Sequence, residues 1–145
     1  MRVTRAREVA APPEEVWRLV NDPERLPAWW PGVQRVEEAT PATWTKVLRS
    51  QKGKTIRADY TRLEGRPPRW LVWRHEVSES PFERLLSESF LEFRMDDADA
   101  GTRVAITARH KPRGFARLGW LQLRLAAVRQ LDEALEGLQR VLGAA

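Results

Sequence analysis

The chain has 145 residues, with 25 Lys and Arg against 20 Asp and Glu, for a formal net charge of +5. That length predicts one domain over 1–145, and 42% hydrophobic residues with seven Trp exclude disorder as the dominant state. Without cysteine there is no disulfide framework, thiolate nucleophile or cysteine-ligated metal, and two histidines, His75 and His110, are too few for a histidine-rich centre. Neither a metal site nor a cofactor is expected.

No apolar run approaches the ~20 residues needed to cross a bilayer, and no hydrophobic stretch follows the basic start Met1-Arg2-Val3-Thr4-Arg5. A cytoplasmic location is the expectation. Arg supplies 21 of the 25 cations, interspersed with acids. Blocks of like charge that would mark a nucleic-acid arm are absent, so no specific nucleic-acid partner is expected.

Met1 to Val9 reads as an opening strand. Pro12-Pro13 then suits a helix entrance, Glu14-Glu15 place negative charge on its first turn, and Val16, Trp17, Leu19 and Val20 give it a buried side. Asp22-Pro23 restarts a second short helix, with Asp as the cap, and Pro31-Gly32 stops it after Trp30. Beyond this the period changes to two. Strands are predicted at Val33–Glu38, Trp44–Ser50, Thr55–Leu63, Trp70–Val77, Leu85–Met95 and Thr102–His110, joined by short turn-like separators as an antiparallel meander. From Phe115 to Leu142 the pattern is helical. Leu118, Leu121, Leu125, Val128, Leu131, Leu135, Leu138 and Leu142 step by threes and fours.

Strand, two short helices, six strands and a long last helix make a helix-grip order, an α+β fold whose antiparallel sheet of about seven strands wraps the C-terminal helix. Specific residues agree with it. Ala11-Pro12-Pro13-Glu14-Glu15-Val16-Trp17, Asp22-Pro23-Glu24-Arg25-Leu26-Pro27 and Trp30-Pro31-Gly32-Val33 resemble the START-like, or SRPBCC, superfamily. So do Pro67-Pro68-Arg69 before Leu71-Val72-Trp73, and Gly101-Thr102-Arg103-Val104 at the last strand. The resemblance covers nearly the whole chain and points to the bacterial polyketide cyclase/dehydrase-like branch. It implies a cavity for a small hydrophobic ligand such as a lipid, a quinone or a polyketide-like aromatic. A reaction is not implied, because the fold serves carriers and enzymes alike.

Alternation assigns the concave face. Leu71, Trp73, His75 and Val77 oppose a charged set on their strand, as do Ser87, Ser89, Leu91, Phe93 and Met95 on theirs. Val104, Ile106, Ala108 and His110 lie inward on the last strand. Ile56, Ala58, Tyr60 and Arg62 fit best inside on theirs, and Trp44 and Leu48 extend the lining. Trp30 and the helix face Leu121–Leu125–Val128 complete the expected ligand site, the helix acting as a lid. Against this stands plain core packing, which is the better reading for Leu71, Leu91, Val104 and Ile106.

An enzyme reading needs an acid or base, and His75 is the residue of choice, with Tyr60 or a serine to hold a developing enolate oxygen. Core histidines more often serve structure. His110, beside Lys111-Pro112, reads as a solvated rim residue. The acidic run Asp96-Asp97-Ala98-Asp99 lacks the ligand spacing of a calcium loop and reads as a hairpin turn. Arg113, Arg117, Trp120 and Arg124 share a helix flank that could rest weakly on anionic lipid, as in a membrane-surface carrier. The preferred reading is a solvated flank whose Arg residues pair with strand carboxylates. A non-catalytic scaffold with a filled core stays open, as does the oligomeric state.

Overall fold

The computed structural model describes residues 1–50, 52–114 and 119–145. Strand β1 (Arg2–Val9) is followed by helix α1 (Pro13–Val20), a single 3-10 turn (Pro23–Arg25) and the four-residue helix α2 (Leu26–Trp29). Strands β2 (Val33–Glu37), β3 (Thr43–Arg49), β4 (Thr55–Arg66), β5 (Trp70–His75), β6 (Leu86–Ala98) and β7 (Gly101–Pro112) precede helix α3 (Trp120–Leu142). The seven strands form one antiparallel sheet in the order β1-β7-β6-β5-β4-β3-β2, so the fold is α+β.

The helix entrances form as their residues dictate. Pro13 opens α1, where its missing N–H costs nothing, and the Asp22 carboxylate accepts from the Glu24 N–H at 3.1 Å. Between them they spend the chain in two short steps and deliver Trp29 and Trp30 to the core.

The β6–β7 hairpin is tighter than its acidic sequence suggests. Ala98 pairs with Gly101, so the turn is only Asp99-Ala100. Asp96 and Asp97 belong to the strand, and the Asp97 carboxylate takes the Arg69 guanidinium at 2.9 Å. Acids on the solvent face of a strand had mimicked a turn. At Gly101 (φ 154°) a side chain would run into the Val9 carbonyl of β1, so only glycine fits.

Helix α3 lies along β1. Arg5 pairs with Asp132 at 2.8 Å, Arg7 with Glu136 at 3.2 Å, and the Gln139 amide donates to the Glu8 carbonyl at 3.0 Å. Its C-terminal end is pinned where the Ala10 N–H donates to the Gly143 carbonyl at 2.9 Å. Gly137 sits against the Trp29 carbonyl, close enough that α2 and α3 meet backbone to backbone.

Ala127, Leu131, Ala134, Leu135 and Leu138 are buried on α3, but Leu121 and Leu125 are 56% and 59% exposed. The expected lid face is therefore wrong at its N-terminal end. Leu121, Val128, Leu135 and Leu142 are spaced by sevens, and a heptad stripe drifts about 20° per heptad on a straight helix. Leu135 reaches the core and Val128 packs on its edge, whereas Leu121 has rotated away. The start of the predicted helix at Phe115, with Leu118 and Arg117, lies outside the described residues. Of the flank read as solvated, with a lipid contact as the alternative, Arg113 and Trp120 are exposed, and Arg124 donates to the Arg2 carbonyl at 2.9 Å rather than pairing with a carboxylate.

Candidate functional site

Large rings fill one end of the concave face. Trp73 touches Phe93 at 4.5 Å between ring centres, Trp44 at 5.1 Å and Trp30 at 6.0 Å, and Trp29 packs edge-on to Trp30 at 5.4 Å. Such pairs contribute about 0.5–1.5 kcal/mol each beyond their buried area. Trp30, Trp44, Leu71, Trp73, Phe93, Val104 and Ile106, all candidates for a ligand wall, are buried in this core and do not border the open pocket. Ile56 is half-buried and also lies off the pocket wall.

At the other end the side chains shrink, and space remains. Ala58, Ser89, Ala126 and Ala127 cannot fill the gap between the sheet and the first turns of α3, which leaves a pocket of about 300 Å³. Its wall includes five predicted site residues, Ala58, Tyr60, His75, Ser89 and Leu91, together with Leu48. The helix contributes Leu123, Ala126, Ala127 and Gln130 in place of Leu121, Leu125 and Val128. Phe82 and Leu85 close it from the 76–85 loop. There the Ser80 hydroxyl donates to the Val77 carbonyl at 2.6 Å and accepts from the Phe82 N–H at 3.1 Å, fixing the turn that presents Phe82.

The polar groups gather at one end. The Tyr60 and His75 rings stack at 4.7 Å, and Phe82 meets His75 edge-on, also at 4.7 Å. Ser89 Oγ lies 2.8 Å from His110 Nδ1. His110 is thus part of the wall, half-buried, and not the solvated rim residue its neighbours suggested. Ser87 also departs from expectation. A bulge between Leu86 and Glu88 breaks the alternation, turns Leu86 to the pocket and leaves the Ser87 hydroxyl donating to the Lys111 carbonyl.

Burial pushes the His75 pKa down to about 4, helped by the positive charges of Lys46 and His110, so its imidazole is neutral at pH 7. His110 is lowered by burial and by the Met1 terminal amine, and burial raises the Tyr60 phenol. His75 Nε2 is buried without a hydrogen-bond partner among the described residues. A neutral imidazole can take a proton or a hydrogen bond from a ligand; it does not arrive as an acid. No group of three His, Asp or Glu among the described residues could hold a metal ion, and no described helix is long and apolar enough to cross a membrane.

Sequence reading missed Lys46. It is 1% exposed, and its Nζ, without a partner among the described residues, lies 4.2 Å from the Trp30 ring centre and 4.1 Å from that of Tyr60, with Trp73 at 5.3 Å. The signal was present: Lys46 stands between Trp44 and Leu48, both assigned inward, and alternation places it on their face. Burial pushes its ammonium well below the usual lysine pKa, while the three ring faces favour the cation.

Solved structures share the architecture at low sequence identity. A START superfamily protein from Mycobacterium smegmatis matches with a TM-score of 0.76 at 13% identity, over 97% of this chain and 96% of that one. A protein from Nitrosomonas europaea matches at 0.72 and 18% identity, over 98% and 94%. The di-domain ARO/CYC protein StfQ, from the steffimycin biosynthetic pathway, matches at 0.75 and 13% identity, over 97% of this chain and 50% of its own. These likenesses establish the fold alone. No functionally curated protein matches the sequence. The family model described as polyketide cyclase/dehydrase and lipid transport matches residues 1–143, and the chain belongs to that family.

Proposed function

We propose that this domain binds a small apolar molecule, a lipid, quinone or polyketide-like aromatic, in the pocket between the sheet and the first turns of α3. One observation carries the reading. An otherwise apolar wall of about 300 Å³ holds its few polar side chains, chiefly Tyr60, His75, Ser89 and His110, close together, which is how ligand sites fix the orientation of an apolar body. The family's description, polyketide cyclase/dehydrase and lipid transport, and the ARO/CYC neighbour from the steffimycin biosynthetic pathway support it by analogy. Native mass spectrometry of the freshly purified protein tests it: a co-purified apolar adduct is expected, and it should be released by denaturation.

A second reading is a cyclase- or aromatase-type enzyme, favoured by the neutral His75 beside Tyr60. His75 would take a proton from a poly-ketone, and Tyr60 would hold the enolate oxygen. If His75→Ala retains ligand but loses turnover of an aromatic polyketide surrogate, the enzyme reading stands. If neither protein turns it over, only the binder remains.

A further inference from the structure

We propose that the pocket end of this domain docks on an anionic lipid bilayer, with the first turns of α3 seated at the headgroup boundary. The proposal goes beyond the ligand-site reading and does not depend on what the pocket holds.

The strand register places the parts. β5 ends at His75, opposite Tyr60, β6 enters at Leu86 beside Pro112, and the β3–β4 hairpin turns between Arg49 and Thr55. The hairpin turn and the 76–85 loop therefore lie at one end of the sheet. The start of α3 lies there too, since Leu123 and Ala126 share the pocket wall with Leu48, Ala58, Phe82 and Leu85. The Arg113 N–H donates to the Leu85 carbonyl at 2.9 Å, tying the chain that approaches α3 to the loop.

The first property of this end is uncovered apolar surface. Trp120, Leu121, Leu123, Leu125, Ala126 and Ala127 open α3, interrupted only by Gln122 and Arg124. At about 100° per residue these side chains point all round the axis, the pattern of a helix that is covered on every side. Yet Trp120, Leu121 and Leu125 are 53%, 56% and 59% exposed, and Ala127 alone of the eight is buried. Leu85, across the pocket, is exposed as well. Four of the six large apolar side chains exposed among the described residues thus lie at this end, and such clusters mark an interaction surface.

The second property is charge. Arg49, Lys52 and Lys54 on the hairpin and Lys111, Arg113 and Arg124 around the helix start are all exposed. None of them pairs with a carboxylate among the described residues, and no acid stands anywhere in 49–57 or 111–130. The 76–85 loop is mixed, with Glu79 and Glu83 beside Arg84. On α3 the acids begin at Asp132, and Asp132 and Glu136 are held by Arg5 and Arg7 of β1. One helix is therefore basic and apolar at its start and acidic farther along.

Exposed Trp and Leu inside a cationic rim match acyl chains behind anionic headgroups. A second copy of this chain would bring the same cations face to face. The pocket opens on this face, its wall including the exposed Ala126 and Gln130, so an apolar molecule passing between bilayer and pocket would avoid water.

Flotation of the full chain with phosphatidylcholine vesicles, with and without about 30 mol% phosphatidylserine, tests this. At about 0.1 M salt the anionic vesicles should bind at least about tenfold tighter, and binding should weaken as salt rises. Leu121→Ser/Leu125→Ser and Lys52→Glu/Lys54→Glu, each checked for a wild-type melt, should weaken it about tenfold or more. Bromine-labelled acyl chains should quench Trp emission, and Trp120→Phe should remove most of the quenching. Ala58→Trp, which fills the pocket, should dock like wild type, so docking and ligand site can fail separately. Equal binding to both vesicle types, or binding to neither, overturns the proposal. If the chain instead self-associates, and the leucine pair abolishes that, the face is an interface between copies. Anionic binding that the leucine pair leaves in full is charge attraction of a basic protein and overturns the seated helix. Quenching kept in full by Trp120→Phe puts another face on the bilayer and overturns it too.

Discussion

The Tyr60 and His75 rings lie 4.7 Å apart with their planes only 11° from parallel, two neighbouring strands presenting one flat polar shelf. Tyr60 and His75 are directly opposed in the β4–β5 register, so the stack is set by the ladder. That relationship joins the aromatic core to the pocket, since Tyr60 also faces Trp44 at 6.0 Å and Lys46 Nζ at 4.1 Å.

Acid should destabilise the protein through His75. Its folded pKa of about 4 lies below the 6.5 of an unperturbed imidazole, so the unfolded chain takes up the proton first. Stability from this group is complete above pH 6.5 and is lost as pH falls toward 4, at up to about 1.4 kcal/mol per pH unit. Urea midpoints at pH 7, 6 and 5 should show this loss, with His75 contributing about 2 kcal/mol by pH 5; His75→Gln should remove that part, while His110, also lowered by burial, adds a loss of the same sign in both proteins. Glu37 and Glu76, whose pKa values are lowered from 4.5, act at more acidic pH and do not mimic the effect.

Lys46→Met should stabilise the fold. Methionine fills a similar volume without an amine that must be desolvated, and the gain expected at pH 7 is about 1–3 kcal/mol. The sign of the pH dependence is diagnostic. A lysine pKa lowered by folding makes wild-type stability rise with pH on the approach to the usual lysine pKa of 10.5, and the variant should lose that rise. A variant less stable than wild type throughout would show that the ring faces hold the ammonium more tightly than burial opposes it.

Gly137→Ala should cost about 1–3 kcal/mol in chemical denaturation, because the new methyl group meets the Trp29 carbonyl across the α2–α3 contact. Helix propensity alone predicts the opposite, a gain of up to about 1 kcal/mol.

Leu125→Ser should change stability by less than about 0.5 kcal/mol, since the side chain is 59% exposed. Leu131→Ala, on the buried face two turns later, should cost about 2–5 kcal/mol. Comparable losses in the two variants would restore the lid that the heptad spacing suggested.

The fold was legible because both periods were strong. Leu71, Trp73, His75 and Val77 alternate against charged neighbours, and all four are buried. The pocket was less legible for two physical reasons. Inward-facing says nothing about filled or empty: Trp73 and Ala58 share a face, but only the shortage of volume around Ala58 leaves space. Charge also misled, since Lys46 was passed over between two inward residues. A bulge at Leu86 and the drift of the α3 stripe account for Ser87, Leu121 and Leu125, because neither device leaves a mark in a simple period.

Ala58→Trp is the most direct test of the central claim, because Ala58 lies on the pocket wall and a Trp there would occupy the space. Wild type and variant are melted against fatty acids, quinones and polycyclic aromatics. The account predicts that at least one class stabilises wild type, by about 2.7 kcal/mol at one hundred times its Kd, and leaves the folded variant unmoved. No shift of the wild-type melt with any class, or an equal shift in the blocked variant, would contradict it.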